Sequence, residues 1–174
     1  MKKFELTTES ITNVAGKKLF RIKALIDFGD VKAGEVGGYV EKEGNVSQDG
    51  NAWVYGNARV YGNAWVYGDV RVYGNARVYG DARVYGNARI SGDAWVSGNA
   101  DYTLIQGFGT EFRCTTFYRG KNKKIMVNCG CFHGDLKEFK KQVKETRSGK
   151  IAKEYLMIAD LMENHFASED SGNE

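Results

Sequence analysis

The chain has 174 residues, a formal net charge of +3, three cysteines and no proline. So small a charge excess does not by itself indicate a nucleic-acid partner, and no apolar run is long enough to predict a membrane span. The first ten residues, MKKFELTTES, lack the apolar core of a signal peptide, so we expect a cytoplasmic protein whose cysteines are reduced.

Residues 1–44 predict a cap followed by an irregular first coil. The runs FELTTESITNV and KLFRIKALIDFG flank Ala15–Gly16–Lys17 and favour a pair of strands joined by a turn. Val40 and Val46 lie two units and one unit of the repeat before Ala52. They therefore predict that a less regular coil, with both valines in the column of the repeat's alanines, precedes the regular repeat.

Residues 51–104 are nine consecutive six-residue units, of which eight are near-copies: NAWVYG, NARVYG, NAWVYG, DVRVYG, NARVYG, DARVYG, NARISG, DAWVSG, and then NADYTL. Ala and Val alternate with larger Arg, Trp and Tyr, so each unit predicts a short strand with a small inward face and a large outward face. Gly followed by Asn or Asp then permits a sharp corner. Short strands joined by corners predict a coil whose turns hydrogen-bond to one another.

The pattern Val-x-Gly-Asn-Ala-x resembles the hexapeptide repeat of left-handed parallel β-helices, in which three units make one triangular turn. The resemblance implies an all-β-dominated solenoid of this type over residues 45–106. It also implies a homo-oligomer, with a trimer expected. Stacked strands about 4.8 Å apart would make the coil about 15–20 Å tall.

Residues 107–174 predict a small α+β module. EFRCTTFY and KIMVNC flank a Gly-Lys-Asn turn and favour a β-hairpin. Asp135 followed by Glu138 predicts a capping box at the start of a helix. Ser148–Gly149 separates this helix from a second one over about residues 150–166, and the polar tail ASEDSGNE is expected to fray.

Two segments also resemble parts of hexapeptide-repeat proteins carried by bacteria, phages and prophages. They are the entry segment DFGDVKAGEVGGYVEKEGNVSQDGNAWV and the C-terminal NCGCFHGDLKEFKKQV with AKEYLMIADLMENHF. The resemblance implies an accessory protein in the cytoplasm of a bacterial or phage-infected cell.

Outward side chains fall into three columns when the repeat is read three units at a time. The columns are Trp53–Arg71–Arg89, Arg59–Arg77–Trp95 and Trp65–Arg83–Asp101, flanked by tyrosines. Guanidinium groups and aromatic rings suit phosphates, bases or protein partners. We therefore expect a non-enzymatic binding protein without a cofactor. Its partner would be a host protein, a signalling nucleotide or a nucleic acid, bound for example to inhibit a host defence. The predicted binding residues are Trp53, Trp65, Trp95, Tyr55, Tyr61, Tyr67, Tyr73, Tyr79, Tyr85, Arg59, Arg71, Arg77, Arg83 and Arg89.

Two other functions stay open. Many hexapeptide β-helices are trimeric acyltransferases that use acyl-coenzyme A and a histidine in or beside the coil as general base. Neither His133 nor His165 lies in this coil, so no catalytic residue is predicted. Alternatively, Arg–Trp and Tyr–Tyr ladders could stabilise the coil without any ligand, which would make the chain a purely structural or assembly protein.

A zinc site is the remaining alternative for the C-terminal module. Four N or S ligands would suit tetrahedral zinc, but the Cys-x-Cys-x-His spacing is poor for a structural site. Small buried thiols and a histidine near a helix are the simpler interpretation. The residues concerned are Cys114, Cys129, Cys131 and His133.

Overall fold

In the computed structural model, which describes residues 1–167, each of the first eight units of the repeat forms a two-residue strand and a corner. Residues 168–174, which hold most of the predicted frayed tail, lie outside the described residues. Strands β1 to β3 precede the repeat at Phe4–Thr12, Lys18–Ala24 and Val36–Val40. The repeat strands β4 to β11 are Trp53–Val54, Arg59–Val60, Trp65–Val66, Arg71–Val72, Arg77–Val78, Arg83–Val84, Arg89–Ile90 and Trp95–Val96.

Strands that lie three units apart in the repeat pair in parallel and build a solenoid with three faces. Face one consists of β3, β5, β8 and β11, face two of β4, β7 and β10, and face three of β6 and β9. Arg59 lies opposite Arg77, Trp53 opposite Arg71 and Trp65 opposite Arg83. The predicted β-solenoid is therefore confirmed, and so is the assignment of these pairs to columns.

The inward Ala and Val columns form the core of the solenoid and have almost no accessible surface. The corners form hydrogen-bonded ladders, because three Asn side chains each donate to an Asp one turn further on. The distances are 2.8 Å for Asn51 to Asp69, 3.0 Å for Asn63 to Asp81 and 3.3 Å for Asn75 to Asp93. These ladders explain why Asp replaces Asn at three corners.

The first coil is irregular, as predicted, but its register differs from the prediction. Val40 pairs with Val60, and Val46 forms a bridge with Val66, so the partners lie further apart in sequence than those within the regular repeat. The two valines therefore continue the Val column rather than the Ala column. A short 3-10 helix, Glu43–Asn45, lies between them, and the two additional residues lie after Val46, before β4.

Buried polar side chains close the N-terminal end of the solenoid, where backbone carbonyls lack a preceding turn. The hairpin of β1 and β2 pairs with β3 and extends face one. On face two, the Lys3 ammonium donates to the carbonyls of Ala52 at 3.0 Å and Gly50 at 3.3 Å. On face three, the Asn45 amide donates to the carbonyl of Ala64 at 2.8 Å. The pair of strands predicted around Ala15–Gly16–Lys17 is present.

Lys3 should make stability depend on pH. Its side chain is only 2% exposed, and burial lowers the pKa of Lys3 to about 8 although the Asp49 carboxylate opposes the shift. Because the unfolded chain binds this proton up to about pH 10.5, unfolding becomes less favourable as the pH rises above about 8. Between pH 7 and 9.5 we expect the free energy of unfolding to rise by about 2 kcal/mol more in the natural chain than in Lys3→Met. Urea unfolding at several pH values measures this difference. The prediction would be contradicted if the free energy of unfolding changed with pH by the same amount in the two proteins.

The ninth unit of the repeat, NADYTL, does not form a coil strand, and its assignment to the coil is wrong. Asn99–Asp101 is a 3-10 helix, and the following strand β12, Tyr102–Phe108, pairs antiparallel with the C-terminal module. Side chains, rather than a further coil strand, form hydrogen bonds with the backbone of the last strand of face three. Asn99 accepts from the Arg83 amide at 2.8 Å, and the Tyr102 hydroxyl donates to the Arg83 carbonyl at 2.6 Å.

The C-terminal module is a four-stranded antiparallel sheet in the order β12-β13-β14-β15, covered by two helices. Its remaining strands are Arg113–Arg119, Ile125–Cys129 and Phe132–Asp135, and its helices α1 and α2 are Leu136–Thr146 and Gly149–Phe166. The predicted hairpin and both helices are confirmed, while the two outer strands were not predicted. The capping box is also confirmed, since Asp135 accepts from the Glu138 amide at 2.9 Å. None of the helices in residues 1–167 is both long and apolar enough to span a bilayer.

Candidate functional site

Face two is covered at its N-terminal end. Trp53 has no accessible surface and packs edge-on against Phe28 and Phe4, with ring centroids 5.3 Å and 5.9 Å away. The Asp30 carboxylate accepts from the Tyr55 hydroxyl at 3.2 Å and pairs with Arg71 at 2.8 Å. The prediction that Trp53 lies on an exposed binding surface is therefore wrong, because the N-terminal cap packs on its ring.

Tyr55 is half-buried beneath the same cap. Burial raises the pKa of Tyr55 to about 12, which the Arg71 guanidinium opposes and the Asp30 carboxylate reinforces. Further along this face, Arg71 and Arg89 line a cavity of about 510 Å³ that also contains Asp69. Tyr73 is half-buried. Arg71 already has a carboxylate partner, whereas Arg89 forms no salt bridge within residues 1–167, so one of the two outward arginines of face two is paired.

Face three carries the most exposed aromatic rings of the repeat. Trp65 is 41% exposed and Tyr85 51% exposed. Tyr67 stacks on both, with centroid distances of 4.1 Å to Trp65 and 5.5 Å to Tyr85. Arg83 is the one cation among the outward repeat side chains of β6 and β9 and the tyrosines beside them. An aromatic surface with a single charge suits a protein partner better than a polyanion.

Face one combines cations with rings along one column. Arg59 lies opposite Arg77, and Arg77 lies opposite Trp95 with its guanidinium carbon 5.2 Å from the ring centroid. Beside this column, Tyr61 and Tyr79 stack almost parallel at 5.2 Å. All five side chains are only partly buried, so they remain available to a ligand.

The C-terminal module adds lysines to the same face. In the turn between β13 and β14, Gly120 forms a bridge with Ala94, and the Lys121 amide donates to the Asp93 carbonyl at 2.8 Å. This turn therefore continues face one beyond the last coil strand. Lys121 and Trp95 both line a smaller cavity of about 230 Å³ with Arg59 and Arg77, and a larger one of about 630 Å³ with Lys123 and Arg119. We call the surface formed by Arg59, Arg77, Trp95, Lys121 and Lys123 the basic groove.

Neither carboxylate beside the basic groove forms an ion pair with its cations in residues 1–167. Asp101 accepts from the Ser97 amide at 2.8 Å and pairs with Arg119 at 3.3 Å. Asp93 accepts from the Asn75 amide group at 3.3 Å. Within the part of the chain that the structure describes, Arg59, Arg77, Lys121 and Lys123 form no salt bridge. An anion could enter the groove without displacing a carboxylate.

Sequence reasoning missed the lysines of the basic groove, and the arginines it predicted do not form one site. Arg71, Arg77 and Arg83 lie on three different faces, so they cannot act on one ligand together. Lys121 and Lys123 are far from the repeat in sequence. The lysine-rich run Gly120–Lys124, GKNKK, is visible in the sequence, but its position beside face one follows only from the tertiary contact with the coil.

The cysteines and His133 do not converge on one point. Among residues 1–167, no group of three His, Cys, Asp or Glu side chains is close enough to hold a metal ion. Cys129 lies opposite Thr115, whose hydroxyl donates to its sulfur at 3.1 Å, and all three cysteines are free. His133 is exposed beside the coil corner at Gly92 and has no hydrogen-bond partner within the described residues. Nothing there orients or activates His133 as a general base.

A family model described as the YdcK beta solenoid repeat matches the chain over residues 52–68, 70–84 and 82–98. The three matched segments coincide with the regular part of the solenoid. No curated protein matches the chain. Together with the strand pairing, the family-model match shows a repeat β-helix protein.

Proposed function

We propose that this chain is a non-enzymatic binding protein that takes an anionic ligand with flat rings, a nucleotide or a nucleic acid, in the basic groove. One observation supports this most strongly. Arg59, Arg77, Lys121 and Lys123 line one groove around Trp95 and have no carboxylate partner in the described residues. The ion pair between Arg119 and Asp101 lies beside the groove and does not involve these four cations.

The chemistry of the basic groove fits phosphate and base together. Arginine binds phosphate oxygens through two parallel hydrogen bonds, and lysine adds point charges. Trp95 offers a ring on which a base can stack. Phosphates would also relieve the mutual repulsion of the four cations. The phage-type resemblance of the end segments fits an accessory role in which a host nucleic acid or signalling nucleotide is sequestered.

A second candidate is recognition of a protein through face three, favoured by the exposed rings of Trp65 and Tyr85. Arg, Tyr and Trp are the residues most enriched at energetically important positions of protein interfaces. The trimer expected from the repeat would cover rings of this kind. A native mass spectrum gives the subunit number, and a monomer would leave face three free for another protein.

The function is tested by titrating the protein into fluorescently labelled single-stranded DNA, single-stranded RNA, duplex DNA and a cyclic dinucleotide. We expect at least one to bind, and Arg59→Gln/Arg77→Gln to weaken that binding by about 30-fold, which corresponds to about 2 kcal/mol. The matched control is Arg83→Gln/Arg89→Gln. It removes the same charge from the same repeat position on the other two faces, and should change the dissociation constant only about threefold.

Three outcomes would count against the proposal. If no ligand binds, the basic groove does not bind nucleotides. Equal losses of affinity in the two double variants would mean that binding depends only on the net charge of the protein. An acetyl-coenzyme A titration with a clear binding isotherm would favour the acyltransferase alternative, whereas a flat titration removes it.

A further inference from the structure

We infer that the ligand of the basic groove is a single-stranded nucleic acid that runs parallel to the solenoid axis. This inference rests on the proposed function and specifies its ligand. The groups of the groove form a row rather than a cluster around one point. Arg59, Arg77 and Trp95 occupy three successive strands of face one, and the bridge from Ala94 to Gly120 places Lys121 next in line.

The length of this row exceeds one nucleotide. Neighbouring parallel strands lie about 4.8 Å apart, so the three steps from Arg59 to Lys121 cover about 14 Å. A stacked strand advances about 3.4 Å per nucleotide, so about four nucleotides fit along the groove. A mononucleotide in the smaller cavity could contact Arg59, Arg77 and Lys121, but Lys123 lines only the larger cavity, so one nucleotide cannot occupy the whole groove.

Trp95 lies between the two pairs of cations and provides the place for a base. Arg77 lies over its ring, with the guanidinium carbon 5.2 Å from the centroid. The larger cavity, about 630 Å³, is lined by Trp95 together with Tyr79 and Lys123, but not by Arg77. A base turned into that cavity can stack on the indole, which typically contributes about 1–3 kcal/mol. The bases of a duplex are already paired and stacked, so a duplex would use only the phosphate contacts.

Neither of the other faces repeats this arrangement. On face two, Arg71 pairs with Asp30, and the ring of Trp53 is buried. On face three, Trp65 and Tyr85 are exposed, but Arg83 is the one cation among the outward repeat residues. Only face one combines an accessible indole with cations on both sides of it along the axis.

The number of cations predicts the salt dependence of binding. Each phosphate neutralised on a single strand lowers the slope of log K against log salt concentration by about 0.7, so four contacts give a slope of about −3. Lys121→Gln/Lys123→Gln should bring the slope to about −1.5, because two contacts remain. Trp95→Ala should weaken binding by about tenfold or more and leave the slope unchanged, because stacking releases no counterions.

The experiment measures anisotropy of labelled oligodeoxythymidylates and oligouridylates of 1 to 12 nucleotides at several salt concentrations. Affinity should rise steeply up to about four nucleotides and only slowly beyond, as the length of the groove requires. Comparison of the DNA and RNA series shows which of the two single-stranded nucleic acids binds more tightly. Lys137→Gln/Lys144→Gln is the matched control, since both lysines are exposed on α1 and line neither cavity of the groove, and the slope should stay near −3.

The results separate this inference from the function on which it rests. A mononucleotide or cyclic dinucleotide that binds as tightly as the 12-mer would overturn the single-strand inference and leave the proposed function standing. The same holds if a duplex binds as tightly as a single strand. Failure of every nucleotide and oligonucleotide to bind would overturn both.

Discussion

Gly80→Ala is expected to destabilise the protein by about 3 kcal/mol, whereas Gly56→Ala should cost only about 1 kcal/mol. Both glycines lie at corners of the coil with positive φ, 62° at Gly80 and 56° at Gly56, so both substitutions impose a similar backbone strain. They differ in the space around them. A methyl group at Gly80 would overlap the backbone carbonyl oxygen of Ser97, whereas one at Gly56 would meet nothing within 4 Å.

Urea unfolding followed by circular dichroism measures both changes. The comparison isolates the close contact between turns, because the strain of positive φ is common to both variants. Equal destabilisation by the two alanines would mean that the corner glycines are needed only for their conformation. A larger loss at Gly80 supports the tight stacking of corners from one turn to the next.

Asn128→Ala is the second substitution with a large expected effect on stability, about 3 kcal/mol. The Asn128 side chain is 5% exposed, and its amide nitrogen lies 2.7 Å from the carbonyl oxygen of Arg89, 3.0 Å from the Ser91 hydroxyl and 3.1 Å from the Tyr118 hydroxyl, so its two hydrogens serve the carbonyl and one hydroxyl. This network joins the last strand of face two to the C-terminal sheet. Its loss leaves a buried carbonyl and one hydroxyl short of a donor, at about 1–3 kcal/mol per unsatisfied group.

The matched control for Asn128 is Asn87→Ala. Asn87 is an exposed corner residue without a side-chain hydrogen bond in the described part of the chain, so we expect a change within about 0.5 kcal/mol. Thermal and urea unfolding of both variants measure the difference. A loss at Asn128 no larger than that at Asn87 would show that the module is not held to the solenoid by this network.

The solenoid was predictable because its repeat is strict. Alternation of Ala and Val with larger residues determines which side chains face inward, and the step of three units places Arg59 opposite Arg77 and Trp53 opposite Arg71. These relations depend on local periodicity alone. The irregular first coil followed only in part, because its longer step arises from two extra residues between Val46 and β4 that the periodicity does not indicate.

Most of the candidate site depends on contacts between segments that are distant in sequence. Trp53 and Trp65 have identical neighbours within their units, NAWVYG in both cases, yet one is buried and the other exposed. The difference arises because Phe4 and Phe28 pack on Trp53 alone. Lys121 likewise reaches face one only through the bridge of the neighbouring Gly120 to Ala94. Periodicity carries no information about either contact.

Location of the bound ligand tests the central claim most directly. An oligouridylate containing 4-thiouridine is cross-linked to the protein by ultraviolet light, and the modified peptides are identified by mass spectrometry. We predict attachment at Trp95, Tyr79 or the Lys121–Lys123 segment, all of which line the cavities of the basic groove. Attachment at Trp65 or Tyr85 on face three, or beside Arg89 on face two, would contradict the assignment of ligand binding to face one.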